Sequence, residues 1–386
     1  MGEPGAEPTS SLSGGLTVTG LRARPVAVPL DPPVQTAGGW IEVAPLVLVD
    51  LLTHEGVTGR SYLFCYTPVA LGAVTDLLVR MESLIRGCPL APVAIEARLQ
   101  AAFRLLGPQG LTGMAMAGVD MAAWDAQARA AGLPLVRLLG GEVRPVPAYA
   151  SLRNMVPADA AKEAEQLAVS GFTAYKVKVG LADVDVDIEA VRAIREAVGQ
   201  GARVAVDYNQ CLSIPEAIRR ARELDGEGLL WIEEPTRADD FDGHARIARE
   251  VATPVQLGEN WWGPNDLAKS IAAGASDLAM PDVMKIGGVT GWLRAAALAQ
   301  AAGLPVSSHI FPEFSAHLLS LTPTGHLLEY LDVARAILQE PVRVEDGHVL
   351  IPERPGAGLE WDEDAVRRFE KPSITGGDGD RRGDAT

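Results

Sequence analysis

The sequence predicts an α/β protein: a closed parallel (β/α) barrel preceded by an α+β domain and followed by a short returning segment. Two observations carry this. From residue 144 onward, strand-like and helical runs alternate strictly, with eight candidate strands, more than a doubly wound sheet usually has. Seven ionisable residues, Lys178, Asp207, Glu233, Glu259, Asp282, His309 and Glu329, recur at gaps of 29, 26, 26, 23, 27 and 20 residues, each closing a short apolar run. A parallel barrel gathers its strand ends on one face, so one polar residue per strand end makes a single converging cluster. No GxGxxG or P-loop glycine pattern follows any strand.

Residues 1–15 read as a disordered leader, without the basic and apolar regions of a signal peptide. Residues 16–143 form the first domain. Its opening runs, LTVTGLRARPVAV and APLVLVDLLTHEGVTGRSYL, are rich in strand formers and broken at His54-Glu55-Gly56. Residues 67–104 and 113–131 then carry apolar residues at helical spacing, as in MAMAGVDMAAWDAQAR. The barrel occupies 144–339. Its strands are VPAYAS, TAYKVKV, RVAVDY, LLWIEE, PVQLGE, DLAMPD, PVSSHI and HLLEYL, and several intervening helices end at glycine. Residues 340–372, with the strand pair VRVEDGHVLIP, are expected to pack back on the first domain. Residues 373–386 form a polar, Gly-rich tail.

Composition narrows the function. A net charge of −16 disfavours nucleic acid and anionic membrane surfaces as partners. No apolar run approaches the roughly 18 residues needed to span a bilayer. Three widely spaced cysteines, Cys65, Cys88 and Cys211, lack zinc-ligand spacing and read as buried thiols in a reducing compartment. A cytoplasmic enzyme acting on a small molecule is the expectation.

The cluster suggests its own chemistry. Asp207, Glu233 and Glu259 end three consecutive strands. Three converging carboxylates repel one another unless a divalent cation sits between them, and hard oxygen ligands suit Mg²⁺ better than zinc. Lys176 and Lys178 are two residues apart in a strand and so point to the same side. They are two of only six lysines against 28 arginines. Like charge and burial would each lower a lysine pKa, as a neutral-amine base requires. His309 and Asp282 end neighbouring strands, so the carboxylate can orient the imidazole and raise its basicity. Glu329 is expected either to serve as a neutral acid, its pKa raised, or to pack at the rim. A metal and two bases approaching from opposite sides fit abstraction of a proton α to a carboxylate, through an enediolate, with return on the other face.

The runs KVKVG, VDYNQ, WIEEPT, GENWWGP, LAMPDVMKIGGVTGW, SSHIFPEFSAHLL and TPTGHLLEYLD resemble the mandelate racemase branch of the enolase superfamily, and closely its name-giving enzymes. MAAWDA and YLFCYTPVAL extend the resemblance across Leu16 to Phe369. It implies a modified TIM barrel of (β/α)7β type, with the α+β domain capping the barrel and completed by the C-terminal segment. It further implies Lys178 as the S-face base and His309 with Asp282 as the R-face base. Asp207, Glu233 and Glu259 would bind Mg²⁺; Lys176, Ser151 and Glu329 would hold the substrate carboxylate, and Asn209 the α-hydroxyl. Similar proteins form symmetric homo-oligomers, often octamers. Lys285, near the position of a second base in the muconate-lactonising branch, reads as supporting structure because the His309/Asp282 pair is intact. Glu234 points the other way along its strand and reads as lying behind the metal ligands.

Departures concentrate in the capping loop, residues 34–45, with Gln35, Trp40, Ile41 and Glu42. Trp40 and Ile41 are expected to line an apolar pocket beside Tyr66, since loops over a barrel mouth set substrate preference. Residues 26–59 contain no Lys or Arg, which argues against a diacid substrate and favours an apolar tail. The first reading is therefore a Mg²⁺-dependent racemase of mandelate or a similar 2-hydroxy acid. The alternative is an acid-sugar dehydratase using the same metal and bases. A non-enzymatic relative is disfavoured because the acid–base set is complete.

Overall fold

The computed structural model describes residues 15–372 apart from 37 and 182; the expected leader (save Gly15) and tail lie outside them. The first domain opens with a three-stranded antiparallel sheet, β1 (Val18–Thr36), β2 (Gly39–Thr53) and β3 (Thr58–Phe64). The helices α1 (Pro68–Ile85), α2 (Pro92–Ala102), α3 (Gly110–Ala130) and the single turn α4 (Leu135–Leu138) follow. Both faces of β3 are covered: Tyr62 and Phe64 are buried on one side, and on the other Leu63 is buried and Ser61 donates to the Gly118 carbonyl of α3. Helix α3 is buried nearly all round, being wedged between this sheet and the barrel. Gly59 is required there, because a Cβ would stand 1.9 Å from the Ala122 carbonyl oxygen.

The barrel then alternates β4 (Val146–Ser151), α5 (Pro157–Ala168), β5 (Ala174–Lys178), α6 (Val184–Val198), β6 (Arg203–Asp207) and α7 (Ile214–Leu224). It continues with β7 (Ile232–Glu233), α8 (Phe241–Glu250), β8 (Val255–Leu257), α9 (Pro264–Ala273), β9 (Leu278–Ala279), α10 (Gly288–Ala302), α11 (Pro312–Leu321) and β10 (Leu328–Tyr330). Strands β4 to β9 pair in parallel and in order, and β10 returns to pair with β4. The expected strand PVSSHI is present only as isolated parallel bridges, Ala279↔Val306, Asp282↔His309 and Val306↔Gly325, which close the gap between β9 and β10. Seven strand positions are followed by a helix and the eighth is not. Helix α7 shows how the outer ring forms: Ala217, Ile218, Ala221 and Leu224 make one apolar stripe, and Pro215 sits in the first turn where no amide donor is needed.

The C-terminal segment departs in part from expectation. The hairpin β11 (Arg343–Glu345) and β12 (His348–Leu350) pairs with the barrel strand β4 through Val349↔Val146, not with the first domain. The chain beyond it does return: Trp361 donates to Asp50, Ala357 N–H donates to Asp125, and Glu360 pairs with Arg60 and Arg129. The final helix α12 (Glu363–Phe369) pairs through Glu363 with Arg24. The cysteines also differ from the reading, since Cys65 is buried but Cys88 is half-buried and Cys211 exposed. Among the described residues no helix is long and apolar enough to cross a membrane.

Candidate active site

Strand register builds the site. Lys178 at the end of β5 pairs with Asp207 of β6, and Asp207 pairs with Glu233 of β7. Glu259 follows two residues after β8. One ligand oxygen from each of Asp207, Glu233 and Glu259 lies within 4.8 Å of the others, and all three side chains are buried. Across the mouth, His309 Nδ1 is 2.7 Å from Asp282 Oδ2 and its Nε2 is 3.0 Å from Glu259 Oε2. The other Asp282 oxygen accepts from the Met284 and Lys285 amides, which fixes the carboxylate that orients the imidazole.

Lys176 occupies the middle of the floor. Its Nζ lies 2.5 Å from Glu233 Oε1, 2.7 Å from Glu329 Oε1 and 3.6 Å from Asp207 Oδ2. Burial alone would lower its pKa, but Glu233 and Glu329, then Tyr149 and Asp207, outweigh burial and raise it well above the ordinary lysine value. The expectation of a depressed pKa is thus overturned at Lys176, because its neighbours are carboxylates as well as a lysine. Glu329 is corrected too. Burial pushes it up, but Lys176 and His309 prevail and hold it at about 2, an ionised carboxylate and not a neutral acid. For His309, burial is opposed by Glu259, Asp282 and Glu329, and the imidazole is raised to about 10. Burial dominates at Glu233 and Asp207, which are raised against the opposing charge of Lys176. Besides Lys176, two neighbours hold Glu233: Trp231 Nε1 at 3.0 Å and Gln256 Nε2 at 3.3 Å from Oε2. Neither residue was singled out from sequence, although Trp231 lies two before Glu233 and so shares its inward face.

Above the floor is a cavity of about 280 Å³, lined by Lys176, Lys178, Asp207, Asn209, Glu259, His309 and Glu329 below. Its remaining wall is mostly apolar: Leu30, Val34, Ile41, Phe64, Tyr66, Ile310, Leu331 and Val333, with Thr36 and Gly38. The segment 34–45 is not a loop. It forms the ends of the β1–β2 ribbon, in which Val34 pairs with Ile41 and Gln35 with Trp40. Adjacent strand residues face opposite ways, so Ile41 lines the cavity beside Val34 while Trp40 points out and is 56% exposed. The expected place of Trp40 in the pocket is overturned, whereas Ile41 and Tyr66 stand in the cavity wall. Glu42 is exposed, and Gln35 reaches the barrel, its amide donating to the Arg153 carbonyl and its Oε1 accepting from Met155 N–H.

Several buried polar atoms here have no protein partner: Ser151 Oγ, Asn209 Oδ1 and the Tyr66 hydroxyl. Ser151 pairs in register with Lys176 but does not itself line the cavity. Tyr66, Asn209, Glu234, Ile310 and Phe311 all adopt positive φ, a concentration of backbone strain typical of functional mouths. Glu234 and Lys285 stand behind the site, joined through Asn260 at 2.7 and 2.6 Å, and the Lys285 ammonium lies 4.4 Å over the Tyr66 ring.

Comparison with known proteins agrees with this architecture. Residues 18–140 match the family described as mandelate racemase / muconate lactonizing enzyme, N-terminal domain, and residues 159–365 match the enolase C-terminal domain-like family. A 3,6-anhydro-alpha-L-galactonate cycloisomerase of Streptomyces coelicolor is 36% identical, over 84% of this chain and 91% of its own length. An arabinonate dehydratase of Saccharolobus solfataricus is 31% identical, over 81% of this chain and 87% of its own. Among solved structures, an enolase from Bradyrhizobium complexed with magnesium and mandelic acid superposes with a TM-score of 0.90 at 46% identity, covering 93% of this chain and all of that one. These two curated relatives bear cycloisomerase and dehydratase names, and a third, from Bacillus subtilis, is named an L-Ala-D/L-Glu epimerase, so they do not carry the finer likeness to mandelate racemases. With both of its domains matched in order over nearly the whole described chain, the protein is a member of the enolase superfamily, in its mandelate racemase / muconate lactonizing enzyme division.

Proposed function

We propose that this protein is a Mg²⁺-dependent enzyme that abstracts the proton α to the carboxylate of a 2-hydroxy acid. One observation carries the reading: Lys178 and His309 line the same small cavity as Asp207 and Glu259. The donor set fits the cation, since three buried oxygen ligands converge within 4.8 Å and, among the described residues, no His or Cys joins the group. Bound by Asp207, Glu233 and Glu259, Mg²⁺ would supply the positive charge that makes an α-proton acidic enough to remove. The chain does the rest. Lys178 takes or returns the proton on one face, and His309, oriented by Asp282, does so on the other. Lys176 donates to the substrate carboxylate, with Ser151 beside it in register on the neighbouring strand, and Glu329 accepts from Lys176 and lies near His309. Asn209, whose Oδ1 is buried without a partner, receives the α-hydroxyl.

Two products follow from that shared step. The names of the curated relatives favour elimination of water from an acid sugar over racemisation; under that reading His309 protonates the leaving β-hydroxyl. Racemisation of an acid with an apolar tail is retained for a specific reason. The wall above the floor is mostly apolar, with Leu30, Val34, Ile41, Phe64, Ile310, Leu331 and Val333 against the hydroxyls of Tyr66 and Thr36, few partners for a polyhydroxylated chain. The relative solved with mandelic acid supports the same side. Product analysis with Mg²⁺ decides: a 2-keto acid from galactarate or arabinonate marks a dehydratase, and loss of optical activity from (R)- or (S)-mandelate marks a racemase. A symmetric homo-oligomer, octameric by resemblance, and residence in the cytoplasm belong to the same proposal; light scattering tests the first.

A further inference from the structure

A second buried polar cluster lies just outside the cavity, and neither the metal set nor the two bases account for it. Asp187, in the first turn of α6, is fully enclosed and accepts three hydrogen bonds. Gly180 N–H donates to its Oδ1 at 2.9 Å; the Tyr208 hydroxyl and Arg220 Nη1 donate to its Oδ2 at 2.9 and 3.0 Å. Tyr208 and Arg220 are themselves buried, and Glu216 accepts from Arg220 Nε at 2.7 Å. None of Gly180, Asp187, Tyr208 and Arg220 lines the cavity.

Their place in the chain gives the cluster its meaning. Gly180 comes two residues after Lys178, and Tyr208 sits between Asp207 and Asn209. One carboxylate therefore ties the end of β5 to the end of β6, across the junction where a base meets a metal ligand. The amide of Val179 donates to the Asp207 carbonyl at 2.9 Å and makes the same junction from the backbone. Gly180 has φ +95, and a Cβ there would stand 2.7 Å from Cys211 Sγ and 3.1 Å from the Tyr208 ring, so the turn is pressed against the tyrosine. A buried carboxylate with three donors, one of them a guanidinium, is over-determined in geometry, which suits a support for a reacting group.

We propose that the Asp187–Tyr208–Gly180 clamp is a positioning device that sets the Lys178 amine against Asp207 and Asn209, and that it acts on the Lys178 face of the substrate and not on the His309 face. This rests on the proposed role of Lys178. His309 is held separately, by Asp282 and Glu259, and shares no partner with the clamp.

The test is Tyr208→Phe, with Asp187→Asn as a second variant should the first fail to fold and Tyr175→Phe as a control. Tyr175→Phe loses a buried hydroxyl from β5, the strand that carries Lys178, and that hydroxyl donates to the Phe172 carbonyl outside the clamp. Exchange of the α-proton in D₂O is measured separately for the S and R enantiomers of whichever acid the enzyme accepts. Loss on the Lys178 face should be on the order of tenfold or more, as expected when a catalytic group shifts by part of an ångström, with the His309 face within about twofold and Tyr175→Phe symmetric. A second readout needs no turnover: in protein carrying [ε-¹³C]lysine, only six lysines contribute. The Lys178 resonance should move in Tyr208→Phe while that of Lys285 stays. Equal loss on both faces, or an unmoved Lys178 resonance, would overturn the clamp's role. Absence of exchange in the unaltered enzyme with an unmoved Lys178 signal counts against the clamp, whereas absence with a moved signal counts against the proposed reaction alone.

Discussion

The floor of the cavity is drawn from the barrel, and its charged groups other than Lys178 are pinned by at least one neighbouring polar group. The roof is drawn from the β1–β2 ribbon of the first domain and touches the cavity with isolated apolar side chains. On the floor, moving Lys176 disturbs Glu233, Glu329 and Asp207 together. On the roof, Val34 and Ile41 meet the cavity while their neighbours Gln35 and Trp40 face away. A packed ionic network admits few substitutions, because an unpaired buried charge is costly. A ribbon edge with one apolar face admits many.

If the floor carries the chemistry, its variants should have the largest effects. His309→Asn should lower exchange of the R enantiomer by on the order of 10² to 10⁴, the usual worth of a general base, while exchange of the S enantiomer through Lys178 persists. Lys178→Ala should do the reverse. Equal loss in both variants would break the assignment of faces. Asp207→Asn should weaken Mg²⁺ binding in calorimetry and remove the rise in melting temperature that Mg²⁺ gives the unaltered protein, since a ligand bound only by the folded state stabilises it.

How legible each half was in the sequence follows from the same contrast. The strand ends could be read because an inward polar residue closing an apolar run is conspicuous, and period-two alternation relates Asn209 to Asp207. The roof could not be read as well. Without knowing that residues 34–45 were ribbon and not loop, nothing said that Trp40 and Ile41 must face opposite ways. The charge state of the floor was hidden for another reason: Lys176 was judged beside Lys178, its sequence neighbour, whereas Glu233 and Glu329 reach it only in the closed barrel. The return of the C-terminal segment was foreseen, but its hairpin pairs with β4, a contact set by register across some 200 residues.

Roof variants should have intermediate, substrate-dependent effects. Ile41→Ala should raise KM for an acid with an apolar tail by about tenfold, the scale of a few methylenes lost from a pocket, and leave a polyhydroxylated acid nearly unaffected. Trp40→Ala, by contrast, should change stability by no more than about 0.5 kcal/mol, as exposed positions usually do. Steady-state kinetics on both variants would separate the two faces of the ribbon. A large KM change from Trp40→Ala alone would reverse their assignment.

The smallest effect concerns acid stability of the metal-free protein. Burial raises Glu329, but Lys176 and His309 bring it down to about 2, below its unfolded value of 4.5. Its folded form therefore holds fewer protons between those values. The stability it adds is fully present above pH 4.5 and is lost as pH falls toward about 2. Urea unfolding from pH 6 down to pH 3 should show a shallower loss in Glu329→Gln than in the unaltered chain. Parallel slopes would mean that Glu329 is not held ionised by Lys176.

The most direct test of the whole account is deuterium incorporation at the α-carbon of 2-hydroxy acids in D₂O, followed by NMR with and without Mg²⁺. Mandelate enantiomers represent the apolar tail, and galactarate and arabinonate the acid sugars. The account predicts Mg²⁺-dependent incorporation in at least one acid, abolished only when Lys178 and His309 are both replaced. Mg²⁺ shown to be bound by calorimetry, with no incorporation and no elimination in any of these acids, would contradict it.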